Sequence, residues 1–235
     1  MNIKHKLLRI IDQPSGIVDI FHGVKPMFTN YFLTVKKFSP EINTYIDIGA
    51  NKGELVKACR RVFPNCVIYA IEPIKEHCLS LKSRFPNITV FNYGLWSSNK
   101  KAKFYLQRER EGVESSFLKP IEIQKEKLEE REVELKRFDS LAIEIRRPCF
   151  VKIDVEGAED RVLEGFGDKL KNIDFIQLEQ THINKNEEKG MMSRNLKLLE
   201  EYGFSGFYQV NTTYYPDGFP MKSDLIFFRD TRKKI

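Results

Sequence analysis

One stretch of nine residues constrains this chain more than any other: Tyr45-Ile46-Asp47-Ile48-Gly49-Ala50-Asn51-Lys52-Gly53 runs an apolar segment straight into a turn of small residues. A strand that ends this way, with a helix opening at Glu54 or Leu55, is the first unit of an α/β sheet that receives a nucleotide-like ligand. Glycines at 49 and 53 let the backbone turn tightly and approach a ligand, since no Cβ stands in the way. Nineteen residues beyond Gly53 the run Val67-Ile68-Tyr69-Ala70-Ile71 ends in Glu72. An acid at the tip of a second strand is suited to accept hydrogen bonds from both hydroxyls of a ribose.

The turn lacks the third glycine of a dinucleotide fingerprint. Asp47, two residues before the first glycine, puts a negative charge where a pyrophosphate would be repelled and an ammonium attracted. The balance favours S-adenosylmethionine, whose amino-acid end carries an ammonium, over NAD.

From residue 44 onward strand-like and helix-like stretches alternate, which predicts an α/β fold with a largely parallel sheet covered on both faces. Strands are expected near 44–48, 67–71, 88–92, 149–154, 174–179, 205–210 and 224–229, and helices near 54–63, 75–84, 158–166 and 191–202. The last two strands are joined by a segment holding Pro216, Asp217, Gly218 and Pro220, too short for a helix, so they should pair antiparallel. Residues 1–40 read as a helical or irregular cap: helical character over His5 to Ile11, a break at Pro14-Ser15-Gly16, then a mixed apolar and aromatic run. That cap would pack on the sheet or on a second subunit, with Phe21, Phe28, Tyr31, Phe32 and Phe38 as a possible dimer contact. A membrane-surface role, with Lys25, Lys36 and Lys37 at headgroups, is the alternative. Residues 41–235 then form one domain, interrupted by an insertion at about 97–148. In it Ala102 to Leu106 and Glu132 to Leu135 look like short strands and Pro120 to Arg131 is highly charged; so long an insertion is a lid or substrate wall, with a plain solvated helix as the alternative.

A second cluster lies in Pro148-Cys149-Phe150-Val151-Lys152-Ile153-Asp154-Val155-Glu156-Gly157-Ala158-Glu159. A buried strand emerging at Asp154 would share the ligand-binding rim with Gly49 and Glu72. Glu159, in a first helical turn, is what a helix dipole prefers, and Lys152 is either half of a buried ion pair or a substrate contact. The fifth core strand ends Leu178-Glu179-Gln180-Thr181-His182, adding an acid and a histidine able to take a proton from a hydroxyl. Asp154, Glu179 and His182 could instead hold a divalent cation, although no metal is predicted.

The chain has 235 residues, 41% of them hydrophobic, enough for one substantial core. Its net charge of +6 lies in dispersed pairs such as Lys36-Lys37 and Arg60-Arg61, without the dense basic stripe of a nucleic-acid surface. Cys59, Cys66, Cys78 and Cys149 show no metal or C-x-x-C spacing, so reduced thiols and a cytoplasmic location are expected. No apolar run reaches the roughly 18 residues of a membrane-spanning helix.

Taken in order, these motifs resemble the FkbM family of S-adenosylmethionine-dependent methyltransferases. The likeness covers about 43–229 and rests on Tyr45 to Gly53, Ile71-Glu72-Pro73, Asn92-Tyr93-Gly94-Leu95, Ser115-Ser116 and, most specifically, Val151 to Glu159. Where the family usually has Leu-Asp before the fourth strand, this chain has Phe138-Asp139. The resemblance implies a Rossmann-like seven-stranded class I methyltransferase sheet, with S-adenosyl-L-methionine as cofactor. It also implies methyl transfer to a hydroxyl, commonly of a sugar in a glycan, glycolipid or natural product. It assigns cofactor contacts to Asp47, Gly49, Ala50, Asn51 and Gly53 (methionine end), Glu72 and Pro73 (ribose), Asn92, Tyr93, Gly94 and Leu95 (adenine), with Ser116 and Asp154. Asp154 would lie nearest the methyl, and Glu179 and His182 are candidate bases. A nucleic-acid methyltransferase, an NAD-dependent sugar oxidoreductase and a non-catalytic module that keeps the fold are the other readings. Against the first, Asp154-Val155-Glu156-Gly157 stands where base-methylating enzymes usually carry an Asn/Asp-Pro-Pro-aromatic run, and its acidity would repel a phosphate backbone.

Overall fold

A computed structural model describes residues 26–107, 115–117, 128–182 and 192–229. The described residues begin with helix α1 (Pro26–Phe38) and then alternate: β1 (Thr44–Ile48), α2 (Glu54–Val62), β2 (Val67–Ile71), α3 (Lys75–Arg84) and β3 (Thr89–Phe91). After an excursion through β4 (Gly94–Leu95), β5 (Lys100–Gln107) and β6 (Leu128–Lys136), the alternation resumes with β7 (Cys149–Ile153), α4 (Glu159–Phe166), β8 (Phe175–Thr181) and α5 (Met192–Glu201). A hairpin of β9 (Gly206–Tyr214) and β10 (Pro220–Phe228) follows.

Seven strands form the main sheet in the order β3-β2-β1-β7-β8-β10-β9. All neighbours pair parallel except that β10 runs antiparallel to both β8 and β9. Strand order reverses between β1 and β7, and such a switch point is where open α/β sheets take their ligands. The strands and helices expected from residue 44 onward are all present, with β9 running on to Tyr214 and β10 starting early, at Pro220.

Alternation along each buried strand builds two cores. Ile46, Ile48, Val151, Ile153, Ile176 and Leu178 point to one face, where Val162, Leu163 and Phe166 of α4 and Leu199 of α5 cover them. Tyr45, Ile68, Ala70, Phe150, Phe175 and Ile226 point to the other, beneath Phe32 and Val35 of α1, Val56 and Cys59 of α2, and Leu81 of α3. Phe32 packs edge-on against Tyr45 at 5.0 Å and Phe150 at 5.6 Å. Residues 26–38 of the expected cap are therefore part of this core. Of the aromatics named for a subunit contact, Tyr31 and Phe32 are buried inside the fold and Phe38 is exposed. Phe21 and the expected helix over 5–11 lie outside the described residues.

The insertion is a side sheet, β4-β6-β5, with β5 and β6 an antiparallel pair. The alternative of a solvated helix is corrected for 128–131, which belong to β6; residues 120–127 lie outside the described residues. High charge hid this strand, because its outward residues form cross-strand ion pairs (Lys101 to Glu132 at 2.8 Å, Lys103 to Glu130 at 2.9 Å). Only one face packs, through Phe104, Leu106 and Val133 against Ile74.

Candidate functional site

The turn after β1 is held by the neighbouring strand: Gly49 N–H and Ala50 N–H both donate to the Ile71 carbonyl, at 2.9 and 3.2 Å. Gly49 has φ +76°, and a Cβ there would stand 2.1 Å from the Asp154 carbonyl oxygen, so the two strand-end turns touch backbone to backbone. Gly53, at φ +79°, serves packing: a Cβ would strike Leu81 at 2.5 Å and Phe85 at 2.9 Å on and after α3. Between them Asn51 takes a left-handed φ of 47°, a conformation uncommon outside glycine that Asn tolerates better than most.

Glu72 braces this turn. Its Oε2 accepts the Asn51 N–H at 2.7 Å and its Oε1 the Ile74 N–H at 2.9 Å. Burial pushes its pKa up to about 7, against the lowering effect of those two backbone bonds. Asn92 donates to the carbonyls of Glu72 and Pro73 at 3.1 and 2.9 Å. Tyr93, Gly94 and Leu95 are buried, and a Cβ on Gly94 would meet Phe117 and Leu135. Of the four residues expected near an adenine, only Asn92 is exposed.

The turn after β7 mirrors the first. Glu156 has φ 56° and Gly157 φ 105°. Glu159, buried, accepts the Val155 and Gly157 N–H groups through Oε1 at 3.2 and 3.1 Å, and burial pushes its pKa up to about 7. It is a backbone clamp, as its place in a first helical turn suggested. Ser116, from the insertion, donates its hydroxyl to the Glu156 carbonyl at 3.1 Å, pinning the same turn.

Strand register aligns Asp47, Lys152 and Gln177 across β1, β7 and β8 on the face beneath α1. Lys152 Nζ lies 3.5 Å from Asp47, 3.4 Å from Asp154 and 2.9 Å from the Gly49 carbonyl. This settles the choice left open for Lys152: it is half of a buried ion pair. Asp47 is 0% exposed, and neither of its oxygens has a hydrogen-bond partner among the described residues. Burial raises its pKa while Lys152 opposes the rise.

One step toward the rim on the same face, Asp154, Glu156 and Glu179 each offer an oxygen, all within 4.8 Å of one another. Lys222 of β10 bridges two of them, 2.9 Å from Glu156 Oε2 and 2.6 Å from Glu179 Oε2. Burial, then the Asp154 and Glu156 charges, push Glu179 up to about 8, and Lys222 pulls against them. Beside Glu179 in register, Asp224 accepts the Tyr31 hydroxyl of α1 at 2.8 Å and the amide of Asn211 at 3.3 Å.

His182, the other candidate base, lies three residues beyond Glu179, which at a strand end places it on the opposite face. Its Nε2 lies 2.7 Å from the Ser223 hydroxyl, and Ser223 faces Gln180 rather than Glu179. The acidic group that the fold assembles contains Glu156 where His182 was expected. Lys222, Asp224, Gln177 and Tyr31 were not foreseen as site residues. The alternation Lys222-Ser223-Asp224 was the available signal for the first two, but it has no meaning until the hairpin register is known.

These residues fit S-adenosylmethionine. A Cβ at Gly49 would strike the Asp154 carbonyl, so the turn stays bare backbone, and Asp47 and Asn51 Oδ1 beside it are buried oxygens without hydrogen-bond partners, acceptors of the kind an ammonium ligand needs. The methyltransferase FkbM domain matches residues 47–205. No curated protein matches the sequence. Similar solved structures include EvdMO1 (TM-score 0.48, 10% identity, covering 87% of this chain but 41% of that one) and its N-terminal domain in the presence of SAH and D-fucose (0.47, 11%, 86% and 82%). Human N-acetylserotonin methyltransferase in complex with SAM is another (0.43, 12%, 87% and 51%). This chain thus spans less than half the length of full EvdMO1. With the family match covering both strand-end turns and the sheet carrying one antiparallel strand between the fifth and sixth parallel ones, the chain belongs to the FkbM methyltransferase family, S-adenosylmethionine-dependent enzymes of the seven-stranded class I fold.

Proposed function

We propose that this enzyme methylates a hydroxyl of a sugar in a glycan, glycolipid or glycosylated natural product. The observation that carries this reading is the rim cluster of Asp154, Glu156 and Glu179, with Glu179 held up to about 8. A carboxylate poised near neutral pH is suited to take a hydroxyl's proton, and carboxylates are natural acceptors for vicinal hydroxyls. The same acidity opposes a phosphate backbone, which weighs against nucleic acid.

When bound, S-adenosylmethionine supplies a methyl group already made electrophilic by its sulfonium. The protein's part is then to hold, align and deprotonate. Gly49, Ala50, Asn51 and Gly53 would hold the amino-acid end, with Asp47 acting through its charge because it is fully buried. Glu72 still has lone pairs for the ribose beyond the two N–H bonds it accepts. Pro73 would sit at the ribose, Asn92 with Tyr93, Gly94 and Leu95 would border the adenine, and Ser116 fixes the turn that carries Asp154. Asp154, 37% exposed, would orient the acceptor and Glu179 would receive its proton. His182 faces away and is the weaker candidate for base. All four cysteines are unpaired thiols, in keeping with a reducing, cytoplasmic setting, and no helix among the described residues is long and apolar enough to cross a membrane.

The test uses S-adenosylmethionine with a labelled methyl group, offered with nucleotide sugars, oligosaccharides, a glycolipid extract and total RNA. Base-stable label in the carbohydrate fractions is expected, lost in Glu179→Gln while S-adenosylhomocysteine affinity is kept. Label in RNA, or in no carbohydrate fraction, would overturn the acceptor assignment.

A further inference from the structure

Three carboxylates at one rim would repel one another strongly unless positive charge is placed among them. The protein supplies two ammonium groups, and they divide the work. Lys152, from within the sheet, approaches Asp154 at 3.4 Å, and Lys222, from the antiparallel strand, lies 2.6 Å from Glu179 and 2.9 Å from Glu156. The spread of the three oxygens, all within 4.8 Å, is about twice the roughly 2.1–2.5 Å at which magnesium or calcium holds an oxygen ligand. This is the spacing a divalent cation would accept, yet the Lys222 Nζ already stands against two of the three oxygens.

We propose that Lys222 is a built-in cation that takes the place of a divalent metal, holding Glu179 and Glu156 together and aiming Glu179 at the acceptor hydroxyl. Lys222 is in this account a positioning residue. It reaches the site because β10 runs antiparallel, so its first residues lie beside the carboxyl end of β8, with Lys222 opposite Thr181 and Asp224 opposite Glu179. A lysine at the start of a parallel strand in the same slot would sit at the other edge of the sheet. With Nζ 2.9 Å from Glu156 Oε2 and 2.6 Å from Glu179 Oε2, the ammonium stands where a metal ion on these oxygens would sit, and one excludes the other.

The proposal deepens the hydroxyl-acceptor reading and rests on it for the role of Glu179, but its test does not need an acceptor. Manganese(II) binding is followed by electron paramagnetic resonance on the full chain with S-adenosylhomocysteine present. Wild type is expected to take up no manganese at this cluster at millimolar ion. Lys222→Met is expected to gain one site, at least tenfold tighter than any in wild type, and Lys222→Met with Glu179→Gln to lose it again. If Lys222→Met does not fold, Lys222→Gln, which keeps a donor to the carboxylates, carries the same expectation. A wild-type manganese site abolished by Glu179→Gln would overturn the proposal, as would folded Lys222 variants that bind no ion. A gained site in the variant with no carbohydrate methylation by wild type would leave Lys222 as the internal cation and remove the sugar-acceptor reading instead.

Discussion

Replacing Lys152 by Met tests whether the buried charge pair beneath the ligand turn is organised as described. Lys152 is 4% exposed and Asp47 0%, and at 3.5 Å an effective dielectric constant of about 20 gives an attraction of about 5 kcal/mol. Met preserves the volume, so the variant mainly strands the Asp47 charge and frees the Gly49 carbonyl. Stranding one member of a buried pair costs about 3–5 kcal/mol. The cost should depend on pH. Without Lys152 the folded-state pKa of Asp47, already raised by burial, rises further above its unfolded value. A group with a raised pKa contributes stability at low pH that is lost as pH climbs through the folded value. Urea unfolding should therefore show the full loss at pH 7 and a smaller one at pH 5. Adding Asp47→Asn should restore most of the stability at pH 7, since no fully buried charge is then left unpaired and Asp154, 37% exposed, is met by solvent. A loss below about 1 kcal/mol in the single variant, or a double variant no more stable than the single, would refute the reasoning.

Gly49→Ala should cost more than the roughly 1–2 kcal/mol of a left-handed alanine, because its Cβ would also displace the Asp154 backbone from 2.1 Å; calorimetry should find S-adenosylhomocysteine binding lost, and native affinity would contradict this. Glu159→Gln should keep the clamp, since a single oxygen accepts both N–H bonds, while removing a buried charge. With a pKa raised from 4.5 to about 7, the wild-type carboxyl contributes stability below pH 4.5 that is lost as pH rises through 7. The variant should thus gain on the order of 3 kcal/mol over wild type near pH 7 and above, and nothing below pH 4.5. A pH-independent difference in urea midpoint would oppose it.

What could be read from the sequence follows from what local pattern encodes. Buried parallel strands are continuous apolar runs, so Thr44 to Ile48 and Cys149 to Ile153 stand out, and polar residues breaking such runs, Asp47 and Lys152, mark themselves as paired or functional. Glycine requirements were legible as positions, but their partners were not: Gly49 faces a ligand turn, whereas Gly53 faces α3. The rim is where reading along the chain fails. Glu179 and His182 look adjacent in sequence, yet alternation sends them to opposite faces. Lys222 meets Glu179 across 43 residues only through the antiparallel register of β10 on β8. Tyr31 gave no signal at all, because an aromatic in an amphipathic helix is equally suited to a core, a dimer contact or a hydroxyl donor to Asp224.

The measurement that reaches the central claim most directly is thermal unfolding of the wild-type protein with S-adenosylhomocysteine and, in parallel, with NAD. At about 100 times its dissociation constant a ligand adds about 2.7 kcal/mol, which for a domain of this size raises Tm by roughly 5–10 °C. A shift of that size with S-adenosylhomocysteine and none with NAD is the result this account predicts. A shift with NAD alone, or with neither, would contradict it.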